Sequence, residues 1–439
     1  MKVYLETYGC QMNLSDSEIV GGLLAGEGFE VVEDLSEADG ILINTCAVRE
    51  HAEERIFRRL RELRPLKEER PALRIGVLGC LAQSLKADLL EHSDAVDFIV
   101  GPDAYRSLPG LLRRTADRAG VRETRLSKTE TYTDLPPMRR SIVNAWVTVM
   151  RGCDNFCTFC VVPYTRGRER SRPADAVLAE ARAVAREGVP QITLLGQNVN
   201  SYRDGGLAFA DLLRAVSRAE GIRRVRFISP HPKDFPDDLL RVIAQEPAAM
   251  PHVHLPLQSG SDRVLERMNR GYTYGHFARL VDRIRDAIPG VSITTDLIAG
   301  FPGETDEDFE RTAGAMEEIR FHSAFTFPYS ERRHTLAARR FADDVPREVK
   351  SDRVTRLVRL ERAHSRERLD EEVGEVVEVL VEGASKKSEA EAFGRTPKGS
   401  GVVFPADRVR PGEIRNVLVV RATTHTLIGR PDGAGEPPG

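Results

Sequence analysis

Residues 151–160 read RGCDNFCTFC, and this stretch decides how the rest of the chain is interpreted. Its cysteines, Cys153, Cys157 and Cys160, have the spacing C-x3-C-x2-C and follow a predicted strand over 145–150. Three thiolates on a four-iron cluster leave one iron open, whereas a closed structural zinc site needs four ligands. No fourth cysteine is adjacent and the ferredoxin spacing is missing, so we expect an open iron–sulfur cluster rather than zinc or buried thiols.

Predicted strands and helices alternate on both sides of this stretch. Over about 190 residues from Val143, six short apolar strands alternate with amphipathic helices, which predicts a partial or full parallel β/α barrel. Residues 1–120 alternate in the same way, which predicts an open parallel α/β sheet. In such folds the functional groups lie at the carboxyl ends of the strands, and the predicted strand over 145–150 ends beside Cys153.

Three further cysteines each follow a predicted strand of the N-terminal part. Cys10, Cys46 and Cys80 are far apart in sequence, but the carboxyl ends of parallel strands share one edge of a sheet. A single cysteine in this position could equally be a core residue, because free cysteine packs well. Three of them at strand ends favour a shared ligand role.

The remaining chain is divided by composition. Residues 121–141 are polar and end in two prolines, which predicts a linker, and residues after 372 consist of short β-rich runs broken by glycine and proline. We expect a small all-β barrel there, with five strands. The predicted division is an N-terminal domain over 1–120, a linker over 121–141, a central domain over 142–371, an all-β domain over 372–430 and a disordered tail over 431–439.

The composition is that of an ordinary globular protein. The 439 residues have a net charge of −3, with 41% hydrophobic and 30% charged residues, and only six are cysteines. No apolar stretch is long enough to span a membrane, and the first residues do not resemble a signal peptide. We therefore expect a cytoplasmic protein without membrane contact. We also expect no structural disulfides, since these are rare in the cytosol.

The cysteine spacing in a β/α barrel resembles the radical S-adenosylmethionine (SAM) enzymes. The resemblance implies that the open iron of a [4Fe-4S] cluster on Cys153, Cys157 and Cys160 chelates SAM and that an electron from the cluster cleaves it to a 5′-deoxyadenosyl radical. Phe159 matches the aromatic position that commonly flanks the adenine of SAM.

Further motifs resemble the methylthiotransferases within that superfamily, and the match covers essentially the whole chain. It implies that Cys10, Cys46 and Cys80 hold a second [4Fe-4S] cluster with a free iron, and that the terminal β module is an RNA-binding TRAM domain. The motifs are YGCQMN at 8–13, NTCAVRE at 44–50, GVLGC at 76–80, LGQNVNSY at 195–202, LQSGSD at 257–262 and GFPGET at 300–305.

The residues after Cys10 and Cys46 are most similar to the MiaB-type tRNA methylthiotransferases. This resemblance implies methylthiolation of C2 of N6-dimethylallyladenosine at position 37 of tRNA, with two SAM molecules used. Threonylcarbamoyladenosine or a ribosomal protein is the alternative substrate, and a non-catalytic iron–sulfur RNA-binding protein is the remote alternative. The expected partners are the tRNA anticodon stem-loop, an external electron donor and an iron–sulfur or sulfur carrier protein, and the expected state is a monomer.

Contacts to SAM and RNA are predicted from weaker signals, and each has an ordinary structural alternative such as a turn or a solvated loop. Catalytic residues beyond the cluster ligands are not identifiable from the sequence. The loop RRHTL at 332–336 departs from the family pattern, which leaves its role open. The predicted SAM contacts are Gln197, Asn198, Gly300, Gly303 and Glu304, and the predicted RNA contacts are Arg166, Arg168, Arg170, Lys386, Lys387 and Arg395.

Overall fold

The N-terminal part of the chain forms a six-stranded parallel sheet with helices on both faces. A computed structural model describes residues 1–47, 52–114, 120–407 and 409–432. The strand order is β2-β1-β3-β4-β5-β6, and the central strands are buried along their whole length because both of their faces are covered. The strands are β1 (Lys2–Tyr8), β2 (Glu30–Val32), β3 (Gly40–Thr45), β4 (Arg74–Gly79), β5 (Phe98–Val100) and β6 (Val121–Glu123), and the helices are α1 (Gln11–Gly26), α2 (Ala52–Glu69), α3 (Cys80–Leu85), α4 (Ala87–Glu91) and α5 (Leu108–Arg113).

The segment predicted as a linker begins inside this sheet. Val121–Glu123 pairs with β5 as the edge strand, so the first residues of the predicted linker belong to the N-terminal fold. Further along, Tyr132 is fully buried and its hydroxyl donates to the carbonyl oxygen of Pro102 at 3.0 Å. This stretch gives little signal in the sequence because its polar composition hides the few residues that pack.

The central part is a partial β/α barrel, as predicted. Six parallel strands form two three-stranded sheets, which a bridge between Val225 and Ala249 connects. Alternate residues such as Ile192 and Leu297 pack against the surrounding helices, so the other set faces the barrel interior. The strands are β7 (Asn144–Thr148), β8 (Met150–Arg151), β9 (Arg170–Ser171), β10 (Gln191–Leu195), β11 (Arg203–Asp204), β12 (Leu207–Ala208), β13 (Arg224–Phe227), β14 (His252–His254), β15 (Ser292–Ala299) and β16 (Ser323–Pro328).

Helices surround this partial barrel and continue beyond it. No helix of the described chain is long and apolar enough to cross a membrane. The helices are α6 (Val162–Thr165), α7 (Ala174–Arg186), α8 (Phe209–Ser217), α9 (Asp237–Gln245), α10 (Asp262–Arg267), α11 (Tyr274–Ala287), α12 (Asp306–Ile319), α13 (Leu336–Arg340) and α14 (Arg347–Asp370).

The C-terminal part is a closed five-stranded barrel that packs on the central one. The buried Arg224 guanidinium donates to the carboxylate of Glu378 at 2.8 Å and to the carbonyl of Arg395 at 2.7 Å. Because Arg224 begins β13, the small barrel covers the amino ends of the central strands, opposite the cysteine loop. Its strands, in the order β17-β18-β19-β21-β20, are β17 (Val376–Ser385), β18 (Ser388–Arg395), β19 (Gly401–Pro405), β20 (Ile414–Ala422) and β21 (Thr426–Pro431).

Candidate functional site

Cys10, Cys46 and Cys80, called here the N-terminal triad, meet at the carboxyl ends of three adjacent strands. Cys10 follows β1 and caps α1, Cys46 follows β3, and Cys80 begins α3 directly after β4. The strand order β1-β3-β4 makes the three loops neighbours, and the thiols of Cys10 and Cys46 form a hydrogen bond. All six cysteines are free thiols.

Close packing of the strand-end loops explains why glycine precedes two of these cysteines. Gly79 has a φ of +89°, and a Cβ atom there would lie 2.4 Å from the Asn44 side-chain oxygen. Asn44 also accepts a 3.1 Å hydrogen bond from the Asn13 amide, whose oxygen accepts from the backbone N–H of Cys10. Asn13 and Asn44 therefore fix the loops that carry the triad, a role that the sequence alone did not reveal. Residues 48–50 of the NTCAVRE motif lie outside the described residues.

The electrostatics of the N-terminal triad favour a thiolate at one position and a neutral thiol at another. The hydrogen bond from the Cys46 thiol, with a contribution from the Arg166 guanidinium, lowers the pKa of Cys10 to about 6. Burial raises the pKa of Cys80, although Arg166 donates through Nε to its Sγ at 3.1 Å. A cationic group bound at the triad would favour thiolates at all three positions.

Cys153, Cys157 and Cys160, called here the central triad, lie on the loop between β8 and α6. Gly152, with a φ of +79°, starts this loop because a Cβ atom there would meet the carbonyl oxygen of Arg168 at 2.0 Å. Burial raises the pKa of Cys153 to about 11 and that of Cys160 to about 12. Buried thiols of this kind ionise only when a positive group such as an iron cluster binds them.

A buried arginine between α10 and α11 supports the central triad. Arg270 donates to the Cys157 Sγ at 3.3 Å and to the carbonyl oxygen of Pro256 at 3.0 Å. Its guanidinium also contacts the hydroxyl of Tyr272 at 3.0 Å. Arg270 was missed in the sequence because it lies far along the chain from the cysteine motif.

Two of the predicted SAM contacts instead hold the cysteine loop in place. The Gln197 side-chain oxygen accepts from the backbone N–H of Gly152 at 2.5 Å, and the Asn198 amide donates to Glu169 at 3.0 Å. Glu169 in turn accepts from the backbone N–H of Asp154 at 3.2 Å. The Gln197 Nε2 and Asn198 Oδ1 atoms are buried without a hydrogen-bond partner. Each of these two side chains therefore keeps one polar atom available to a ligand.

The remaining predicted SAM contacts, Gly300, Gly303 and Glu304, lie in one turn at 300–304. Gly300 and Gly303 have positive φ values, whereas the Glu304 carboxylate is fully buried and accepts from the backbone N–H of Gly300 and from Arg353. One oxygen of the Glu304 carboxylate therefore closes the turn, while Oε1 is buried without a hydrogen-bond partner, and the contact of Glu304 with SAM stays a prediction. Burial raises the pKa of Glu304 to about 7. Phe159 packs against an apolar cluster that contains Phe301, beside the same turn.

Protein-family comparisons match all three parts of the chain. The matches are Uncharacterized protein family UPF0004 over residues 2–101, the Radical SAM superfamily over 147–316 and the TRAM domain over 370–431. A tRNA-2-methylthio-N(6)-dimethylallyladenosine synthase from Chloroherpeton thalassium is 46% identical over 98% of this chain and 95% of its own. A protein of the same name from Chlorobium phaeovibrioides is 48% identical over 97% of this chain and 96% of its own.

The chain belongs to this tRNA methylthiotransferase family. A more distant relative, the mitochondrial tRNA methylthiotransferase CDK5RAP1 of Rattus norvegicus, is 43% identical over 98% of this chain and 80% of its own. Among solved structures, the radical SAM methyltransferase TsrM from Kitasatospora setae has a TM-score of 0.59 at 17% identity and covers 77% of each chain. That likeness concerns the fold alone.

Two of the three arginines after the cysteine motif that were predicted to bind RNA are buried in the methylthiotransferase. Arg166 and Arg170 are buried, and they form ion pairs with Asp16 and Asp103 at 2.7 and 2.8 Å. Those two predictions are wrong, because a guanidinium enclosed with a carboxylate cannot reach a phosphate. Arg168 is exposed, although it pairs with Asp154 at 2.6 Å.

The predicted RNA contacts of the C-terminal barrel remain accessible. Lys386 and Lys387 are exposed between β17 and β18, at the tip of a hairpin. Arg395 is also exposed, but it pairs with Glu382 at 3.0 Å and lies over the ring of Phe393. Of these residues, the two lysines are the cations best placed for a phosphate backbone.

The donor chemistry of both triads fits iron–sulfur clusters. Each triad offers three free thiols and an arginine that donates to one sulfur atom, Arg166 to Cys80 and Arg270 to Cys157. Within the described ranges, no three Cys, His, Asp or Glu side chains lie close enough to bind a single metal ion. Three thiols are the ligand set of a four-iron cluster with one open iron, whereas a closed structural zinc site takes four ligands.

Proposed function

We propose that the protein methylthiolates C2 of N6-dimethylallyladenosine at position 37 of tRNA, giving 2-methylthio-N6-dimethylallyladenosine. Two [4Fe-4S] clusters and SAM are the cofactors that its family implies. When bound, they supply the electron that cleaves SAM, the radical that removes hydrogen from an unreactive carbon, and the sulfur and methyl group that replace it. The observation that carries the proposal is the short path between the two thiol triads.

That path is built from side chains of both domains. Arg166, on the loop that follows the central triad, reaches Cys80 of the N-terminal triad at 3.1 Å. Ser15 at the start of α1 hydrogen-bonds Thr148 at the end of β7 at 2.9 Å, which joins the two strand-end edges directly. A substrate base held between these two edges would be within reach of the clusters on both triads.

The chain's own residues have three tasks in this reaction. The two triads hold the clusters, and Gln197 and Asn198 keep the central loop in a fixed conformation. The turn at 300–304 carries Phe301, which belongs to the apolar cluster that packs against Phe159. Cys46, Cys80 and Cys157 are buried, and this burial limits the access of water to a site where a carbon radical would form. No acid–base residue is assigned.

The same family resemblance supports the partners and the compartment that we propose. The C-terminal barrel with Lys386 and Lys387 would bind the tRNA anticodon stem-loop, and an external protein would donate electrons. A tRNA substrate supports a cytoplasmic enzyme. Its first domain would extend beyond β6, and its last would begin near residue 371.

The test is anaerobic reconstitution followed by reaction with SAM, a reductant and prenylated tRNA. We expect roughly eight iron atoms per chain, because six thiolates form two sets of three. Mass spectrometry of the digested tRNA should then detect the methylthio nucleoside together with 5′-deoxyadenosine. A chain that saturates near four iron atoms, or that makes no 5′-deoxyadenosine, contradicts the proposal and favours a non-catalytic RNA-binding protein.

A further inference from the structure

A buried cluster of charged side chains lies between the two thiol triads. Asp16 on α1 is completely buried, and its two carboxylate oxygens accept from Arg151 and Arg166, each at 2.7 Å. The hydroxyl of Tyr105 donates to the same carboxylate at 3.2 Å. Arg151 and Arg166 come from the central domain and Asp16 and Tyr105 from the N-terminal domain, so the cluster joins the two.

Two arginines share one aspartate, which leaves this cluster with an excess positive charge. A second buried pair nearby, Arg170 with Asp103 at 2.8 Å, is balanced. Burying an uncompensated guanidinium is costly, so its retention points to an anionic group close by. The nearest anionic candidate is the N-terminal triad in its thiolate form.

Arg166 is the member of the cluster that reaches this triad. Its Nε atom donates to the Cys80 Sγ at 3.1 Å while one terminal nitrogen holds Asp16. Its other terminal nitrogen is buried and has no hydrogen-bond partner. A buried donor without a partner beside a set of thiols is suited to a sulfur atom of a cluster bound there.

We propose that Arg166 is a positioning residue that raises the reduction potential of the cluster on the N-terminal triad. A cation that donates a hydrogen bond to a cluster thiolate stabilises the reduced form, which carries one more negative charge. Asp16 opposes this effect and holds the guanidinium in place. The inference rests on the proposed function only in requiring a cluster at the N-terminal triad.

The test uses the full-length chain in which the three cysteines of the central triad are changed to alanine, so that one cluster remains. Its midpoint potential is measured by a redox titration followed by electron paramagnetic resonance. We expect Arg166→Gln to lower the potential, Arg166→Lys to lower it less, and Asp16→Asn to raise it. The matched control is Arg224→Gln, which removes a buried arginine that pairs with Glu378 of another domain, at the ends of the central strands opposite the cysteine loop, and should leave the potential unchanged.

The expected shifts of the midpoint potential have opposite signs in Arg166→Gln and Asp16→Asn. These opposite signs distinguish a tuning role of Arg166 from a merely structural one. Loss of packing would shift the potential in the same direction in Arg166→Gln, Asp16→Asn and Arg224→Gln, and that result overturns the inference. Equal potentials in Arg166→Gln and the parent also overturn it. Iron content and thermal unfolding are measured first, and if Arg166→Gln does not assemble a cluster, Arg166→Lys and Asp16→Asn decide the question.

Failure of the inference differs from failure of the proposed function. A parent chain that assembles no cluster on the N-terminal triad contradicts the proposed function. A parent chain with a cluster whose potential is insensitive to Arg166 contradicts the inference alone.

Discussion

Cys46 and Cys157 belong to separate triads, so their substitution should have different consequences. We predict that Cys46→Ala retains SAM cleavage and loses methylthiolation, whereas Cys157→Ala loses both. The physical reason is that Cys46 follows β3 of the N-terminal sheet, while Cys157 lies on the loop after β8. The measurements are 5′-deoxyadenosine release and nucleoside mass spectrometry. Loss of SAM cleavage in a folded Cys46→Ala protein would refute this division of the reaction.

At the same scale, the buried arginines mark the limit of what the sequence predicts about the site. A row of arginines after a cysteine motif is typical of an RNA surface, yet Arg166 and Arg170 are enclosed by Asp16 and Asp103. These partners lie 150 and 67 residues away along the chain, so no local pattern indicates them. The cysteines were recognisable because spacing and strand ends are local features.

At the scale of elements, the fold was predictable wherever periodicity was strong. The apolar run at 191–195 predicts a strand and the amphipathic pattern at 274–287 predicts a helix, and both agree with β10 and α11. β18 was not predicted, because its sequence SEAEAFGR has few β-branched or aromatic residues, and its strand conformation comes from closing the small barrel. The short α10 was missed for lack of a full helical period.

At the scale of elements, two exposed phenylalanines on β16 lead to a prediction about the substrate. Phe325 and Phe327 lie on the face of this edge strand that is not packed against the helices, and they are 53% and 50% exposed. Phe327 is in register with Ile298, which packs against the apolar cluster beside Phe159. We expect this pair of rings to contact the prenyl group of the substrate.

The corresponding variant is Phe327→Ala, measured as kcat/KM on prenylated tRNA. Losing an aromatic contact that contributes about 1.5 kcal/mol should lower kcat/KM by roughly tenfold. Leu207→Ala is the control, because Leu207 is a similarly exposed apolar residue at 45% on another strand. Equal kcat/KM in the parent and Phe327→Ala would remove β16 from the substrate site.

At the scale of the whole molecule, the two barrels share a surface that bears on how tRNA binding is tested. Removing the C-terminal barrel would leave the Arg224 guanidinium without its acceptors, Glu378 and the Arg395 carbonyl, and would therefore disturb the central barrel as well. Substituting exposed residues tests RNA binding without this complication.

We predict that Lys386→Ala with Lys387→Ala weakens tRNA binding and leaves SAM cleavage unchanged. Each lysine that neutralises a phosphate contributes about 0.7–0.9 to the slope of log affinity against log salt, so the double variant should flatten that slope by up to about 1.8. The measurement is tRNA affinity over a series of salt concentrations. As a control, Arg356→Ala removes an exposed cation already paired with Glu310 at 2.6 Å and should leave the slope unchanged. An unchanged slope in the lysine variant would exclude this hairpin as the RNA contact.

The last prediction concerns the whole enzyme and its substrate, namely that the tRNA must carry a prenylated adenosine at position 37. Burying the five prenyl carbons at about 0.8 kcal/mol each contributes at most about 4 kcal/mol. At about 1.4 kcal/mol per decade this is up to roughly a thousandfold in kcat/KM, and partial burial leaves about tenfold to a hundredfold. The half-exposed rings of Phe325 and Phe327 on β16 are consistent with partial burial of the prenyl group.

The comparison uses one tRNA sequence prepared with and without the prenyl group, and a third sample carrying threonylcarbamoyladenosine. We expect the prenylated tRNA to react fastest. In Phe327→Ala, the ratio of kcat/KM between prenylated and unprenylated tRNA should be smaller, since the variant removes contacts that only the prenyl group makes. Equal rates on the first two samples, or a preference for the third, would overturn the substrate assignment. The methylthiotransferase chemistry would stand in either case, because it depends on the two thiol triads and not on what the barrel interior selects.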